Sequence, residues 1–230
     1  MKRSAATVVL LIGLGIGTVG CASASTPSTA PTTTAAEEPS PTPTATPTPT
    51  EQAEPEAERI IVGADAIVVL GSDGSELAAY DYFQDTAELV AGFTEVFGRP
   101  AAESPFEGDA HSPAGVQRAW DGFAILDDDR DPVPPHTPNH LVDVTANEVG
   151  GIAVETADGF TVGTSAEEVE AAPGAQPYPA SGIIQVDSVP LDFDDPICPE
   201  GGCTFSVRLF TDEPGELIVR MLAPAPNFGP

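Results

Sequence analysis

The sequence predicts an α+β domain over residues 58–230: an antiparallel sheet with helices on one face, arranged as two pseudo-duplicated hairpin-helix units. Three observations lead there. An internal pattern recurs, because Ile67-Val68-Val69-Leu70-Gly71-Ser72-Asp73-Gly74 and Ile152-Ala153-Val154-Glu155-Thr156-Ala157-Asp158-Gly159 share Ile-x-Val-x-x-small-Asp-Gly, an apolar strand running into a turn. Helix signals follow each copy. Near the chain's end, Phe205, Val207 and Leu209 alternate with Ser206, Arg208 and Phe210, the period of a half-buried antiparallel strand.

In chain order, the first copy turns at Asp73-Gly74 and returns as a strand from Leu77 to Tyr82. Asp85 or Thr86 then caps a helix from Ala87 to Phe97, closed by Gly98. Leu89, Val90, Phe93, Val96 and Phe97 recur at spacings of three and four, one apolar stripe suited to lie on a sheet. A single strand is expected from Trp120 to Leu126. The second copy turns at Asp158-Gly159 and returns through Phe160-Thr161-Val162-Gly163. Thr164 or Ser165 caps a short helix from Ala166 to Ala171, ended by Pro173-Gly174. Two strands close the chain, Thr204 to Phe210 and Glu216 to Leu222, joined around Asp212-Glu213-Pro214-Gly215. The phrase from Gly159 to Val169 resembles the strand, glycine and acidic helix start of β-lactamase-inhibitor-like and small envelope lipoproteins, and that resemblance implies an α+β fold shared by inhibitors and assembly factors.

Upstream of the domain the composition changes. Residues 22–57 hold 8 Pro, 10 Thr, 4 Ser, 8 Ala, 5 Glu and 1 Gln, with no aromatic, Val, Ile, Leu or Gly, so nothing there can pack a core. Pro-Thr alternation favours polyproline II, which at about 3.1 Å per residue reaches on the order of 110 Å. Residues 21–57 are therefore read as a tether. Before it, Met1-Lys2-Arg3 is a basic head and Ala5 to Ile16 an uncharged apolar run, so residues 1–20 have the pattern of a signal peptide. The run is too short, and too interrupted by Gly13, Gly15 and Gly17, for a permanent span of about 20 residues.

Thr18-Val19-Gly20-Cys21 resembles the bacterial lipobox, in which a Cys after small residues is acylated and becomes the new N-terminus. Signal, lipobox and Thr/Pro tether together resemble the exported lipoproteins of high-GC Gram-positive, actinobacterial-type cells. The resemblance implies lipidation (palmitate) at Cys21, the extracellular face of the cell membrane as location, and contact with the bilayer through the lipid alone.

Charge narrows the partners. The chain has 36 Asp or Glu against 8 Lys or Arg, a formal net charge of -28. No basic surface is available for nucleic acid, and anionic headgroups repel the domain. Cleavage before Cys21 would remove Lys2, leaving a mature chain with no Lys, so Schiff-base and Ser-x-x-Lys chemistry are excluded. Neither a Walker loop nor a Gly-x-Ser-x-Gly elbow is present. No catalytic residue and no cofactor is assigned.

The remaining groups receive structural readings. Cys198 and Cys203, the even pair left in an exported chain, are expected to form a disulfide, with Gly201-Gly202 allowing the tight turn. His111, His136 and His140 lie in Pro- and Asn-rich segments and read as exposed loop residues. Their i, i+4 pair is broken by Pro138. Asp127 and Asp129, and Asp192 and Asp194, are weak calcium candidates, with a solvated acidic surface as the favoured reading. Trp120, Phe123 and Ile125, with Tyr80, Tyr82 and Phe83, are expected to fill the core or its rim. The expected function is a non-catalytic binding or envelope-accessory lipoprotein with an unknown protein or envelope partner. The alternatives are an inhibitor of a secreted enzyme and a small extracellular hydrolase.

Overall fold

The computed structural model describes residues 55–108, 113–128, 130–134, 137–191 and 203–227. Cys21, the signal segment and all of the tether before residue 55 lie outside them, as do His111, Asp129, His136, Asp192, Asp194 and Cys198. All described residues belong to one compact unit, 51–230. None of their helices is long and apolar enough to cross a membrane.

The chain runs β1 (Ala57–Val62), β2 (Ala66–Gly71), β3 (Glu76–Asp81), α1 (Thr86–Val96), β4 (Ala102–Phe106), β5 (Gly115–Trp120) and β6 (Phe123–Asp128). It continues with β7 (Leu141–Val144), β8 (Glu148–Val149), β9 (Ile152–Thr156), α2 (Ala166–Glu170), β10 (Gln176–Tyr178), a 3-10 turn (Pro179–Ser181), β11 (Ile183–Pro190), β12 (Thr204–Thr211) and β13 (Ile218–Asn227).

The α+β expectation is overturned. Strands make up 51% and helices 12% of the described chain, in a five-stranded sheet ordered β3-β2-β1-β9-β8 and an eight-stranded sheet ordered β10-β11-β12-β13-β7-β6-β5-β4. The larger sheet is antiparallel throughout, whereas the smaller contains one parallel pair, β1 with β9. Helices do not cover one face. A single buried cluster draws Ile60, Val69 and Val154 from the small sheet, Ile125, Val144, Val207 and Met221 from the large one, and Leu89 and Phe93 from α1.

The pseudo-duplication is not realised either. The repeated pattern forms β2 and β9, which flank the same strand β1, the first antiparallel and the second parallel. After β2 the chain returns as β3, as expected. After β9 there is no return strand: Phe160 folds inward to 8% exposure and Gly163 takes φ +94. The backbone then bonds instead to the first residue of β13 and to the segment just before it, through Gly163 N–H to the Ile218 carbonyl and Ala166 N–H to the Glu216 carbonyl.

The helix starts are as the sequence predicts. Asp85 accepts from the Ala87 N–H at 2.7 Å, and Ser165 accepts from the Glu168 N–H at 3.1 Å. α1 approaches β3 closely at Gly92, where a methyl group would collide with the Tyr80 hydroxyl. The strand expected from Trp120 to Leu126 is instead two strands joined by a tight hairpin. Asp121 and Gly122 sit at φ 43 and φ 105, the left-handed pair a two-residue turn requires. Trp120, Phe123, Ile125 and Tyr82 are buried as expected, with Phe93 and Phe97 packed on Trp120 and Phe123 at ring separations of 4.7–6.1 Å. β13 runs past Leu222 to Asn227 despite Pro224 and Pro226: Pro224 falls in the register shift opposite Ser206–Arg208, where a residue without an N–H can sit, and Pro226, opposite Phe205, lies beyond the Met221–Ala223 stretch that pairs with β7.

Candidate functional site

Six arginines serve this acidic domain, and five of them pair with carboxylates: Arg59 with Glu155, Arg99 with Asp121, Arg118 with Glu103 and Asp127, Arg130 with Asp128, and Arg220 with Asp143. The Arg220 pair is bidentate, at 2.7 and 2.9 Å, and the guanidinium also lies 5.1 Å above the Phe210 ring. Arg208 differs. Among the described residues its guanidinium has no carboxylate partner; Nη2 donates to the Pro226 carbonyl at 2.8 Å, and Nε is buried with no partner. Burial pushes this guanidinium below its ordinary pKa, opposed by the Tyr178 phenol.

The strands explain its position. On β12 Val207 and Leu209 point into the core cluster and Phe205 is buried on the same side, so Arg208 emerges on the opposite face. Register places Gln176 of β10 beside Gln185 of β11, and Gln185 beside Arg208, giving three polar side chains in a row across neighbouring strands. Past Tyr178 the chain makes its 3-10 turn, held by the Ser181 hydroxyl donating to the Tyr178 carbonyl at 3.0 Å, and reverses at Gly182 with φ 62. The result is a cleft of about 250 Å³ lined by Tyr178, Ser181, Ile183, Gln185, Arg208 and Asn227.

Gln185 organises the floor. It is only 4% exposed, and its Oε1 accepts from the Tyr178 hydroxyl at 3.3 Å and from the Asn227 amide at 3.4 Å. Its own amide nitrogen remains as a further donor. The cleft therefore combines one unneutralised cation, the Gln185 amide donor, the Ile183 side chain and the half-exposed Tyr178. A neighbouring hollow of about 180 Å³, lined by Glu170, Pro179, Gly182, Ile183, Ile184, Thr211, Pro214 and Gly215, carries no cation among its described residues.

The residues singled out from sequence fall elsewhere. Asp127 is taken by Arg118 at 2.8 Å, and among the described residues no group of three or more His, Cys, Asp or Glu could hold a metal ion. Cys203 is buried at 4% exposure at the head of β12; its expected partner Cys198 lies outside the described residues. His140 is not the exposed loop residue expected. It is 2% exposed between Tyr82, 6.0 Å away ring to ring, and Thr86, whose hydroxyl is 3.5 Å from Nδ1, and its Nε2 is buried without a partner. Burial pushes its pKa down to about 4, against the opposing charges of Asp127 and Asp81.

None of the cleft residues was singled out from sequence. The one available signal was the alternation that puts Arg208 on the face of its strand opposite Val207 and Leu209; the register bringing Gln185 and Tyr178 to it is non-local. No family model matches the chain, and neither a curated protein nor a solved structure matches it.

Proposed function

We propose that this chain is a lipoprotein anchored through Cys21 on the extracellular face of a bacterial cell membrane, carrying at the end of a Thr/Pro-rich tether a domain that binds a ligand rather than transforming one. The observation that carries the anchoring is the order of parts: basic head, apolar run, Thr18-Val19-Gly20-Cys21, then residues 22–56 without a Val, Ile, Leu, Gly or aromatic. Two or three acyl chains, at roughly 0.8 kcal/mol per buried methylene, hold such a protein on a bilayer without help from a domain this acidic. Binding is supported by the Arg208 cleft, where a cation and the Gln185 amide donor face a hollow and, among the described residues lining it, no nucleophile-base pair stands beside them. A bond between Cys198 and Cys203 belongs to the same reading, since the domain would fold outside the cell.

The test is to express the full chain and Cys21→Ala in a bacterium and partition each in detergent. The parent enters the detergent phase, while the variant is released or stays as unprocessed precursor. Equal partitioning of the two overturns the anchor.

A further inference from the structure

We propose that the cleft over β10–β13 is a binding site for the carboxylate of a small monoanion with an apolar body, Arg208 taking the carboxylate and Tyr178 with Ile183 taking the body. This deepens the binding function proposed above and rests on it. Three observations carry it.

The first is an unbalanced charge. Arginine stays protonated under all ordinary conditions, so it cannot escape burial by losing its proton. Every other arginine of the domain has a carboxylate against it, in a chain with 36 acids, yet Arg208 has only the Pro226 carbonyl among the described residues. A half-buried cation without a counter-charge, open to a cleft, favours an incoming anion.

The second is the donor set. The Gln185 amide nitrogen can donate to an oxygen beside Arg208, while the Tyr178 and Ser181 hydroxyls would first have to leave Gln185 Oε1 and the Tyr178 carbonyl, and no second cation lines the cleft among the described residues. One cation with a neutral donor matches a single negative charge. A phosphate dianion would meet the same site against the field of a protein with net charge -28, with only one cation to offset it.

The third is size and polarity. About 250 Å³ is roughly eight water volumes, enough for one amino-acid-sized group. The Tyr178 ring is 40% exposed at the rim, a flat surface for an apolar or aromatic tail. Free organic acids and the C-terminal residue of a peptide share this chemistry.

The experiment uses the full chain in detergent and measures binding by calorimetry. The probes are N-acetylphenylalanine, its uncharged amide, a short peptide ending in phenylalanine with a free carboxylate, the same peptide amidated, and inorganic phosphate. Each acid is expected to bind about tenfold or more tightly than its amide, the loss expected for one charge-assisted hydrogen-bonded contact. Arg208→Gln should lose the same factor, and Arg59→Gln, remote from the cleft, should lose nothing. A peptide acid binding more tightly than N-acetylphenylalanine assigns the site to chain ends, and equal affinity assigns it to free acids; either supports the site. Acid and amide binding alike, neither binding, or phosphate outcompeting the acid overturns it. The acid-amide comparison needs no variant, so it stands even if Arg208→Gln does not fold. These outcomes are independent of detergent partitioning, so the site can fail while the anchor holds.

Discussion

Beside α1, His140 holds its Nε2 buried and unpartnered, and on the far face of the eight-stranded sheet Arg208 does the same with its Nε. Both groups are basic and both are short of hydrogen-bond partners, but their chemistry gives them different exits. Histidine drops its proton: the ring stays neutral down to about pH 4, and the remaining cost is one unsatisfied nitrogen. Arginine has no such exit. Its charge persists, and so a defect that is purely structural at His140 becomes, at Arg208, a demand for an anion. The surroundings agree, since His140 is enclosed by Tyr82, Thr86 and the core, whereas Arg208 opens on a cleft.

The largest effect expected from this contrast is the pH dependence of stability. His140 has a folded pKa of about 4 against an ordinary value of 6.5, so between these values the unfolded chain binds the proton and the folded domain does not. Stability is fully present above about pH 6.5 and is lost as pH falls toward 4, by roughly 3 kcal/mol in total. Urea denaturation across that window should show the slope, and His140→Leu should flatten it. A parent slope unchanged in the variant would show that His140 is not the group responsible.

A smaller loss is expected at Tyr82, the neighbour of His140, whose buried hydroxyl donates to the Gly63 carbonyl at 2.7 Å. Tyr82→Phe leaves that acceptor empty and should cost about 1–2 kcal/mol in the same denaturation assay at neutral pH. A neutral result would mean that water replaces the hydroxyl and that this side of the core is less closed than its burial implies.

How much of this was legible in the sequence varies by region for physical reasons. The Asp85 and Ser165 caps and the β12 alternation are local signals and were readable. Asp73-Gly74 signals its turn clearly, whereas Asp121-Gly122, the same dipeptide, lies between Trp120 and Phe123, whose apolar run masks the turn between β5 and β6. Asp158-Gly159 carries a hairpin signal, yet no return strand forms after it, because the backbone at Gly163 and Ala166 bonds to Ile218 and Glu216 instead. The two-sheet architecture depends on β1 pairing with β9, some ninety residues apart, and no local period reports such a pairing. The cleft shares that fate: Tyr178, Gln185, Arg208 and Asn227 come from four strands, and only their register makes them a site.

The claim that Arg208 is held unneutralised for a ligand is tested most directly by the thermal stability of two arginine variants in anion-poor buffer. Arg220→Met removes one half of a bidentate pair, leaves Asp143 partly buried without its partner, and should cost about 1–3 kcal/mol. Arg208→Met removes a cation that has no carboxylate partner among the described residues, and should be neutral or raise stability by up to about 1 kcal/mol. Opposite or clearly unequal shifts of the melting temperature are what the account predicts. Equal losses in the two variants would show that Arg208 is already compensated within the domain, and would contradict it.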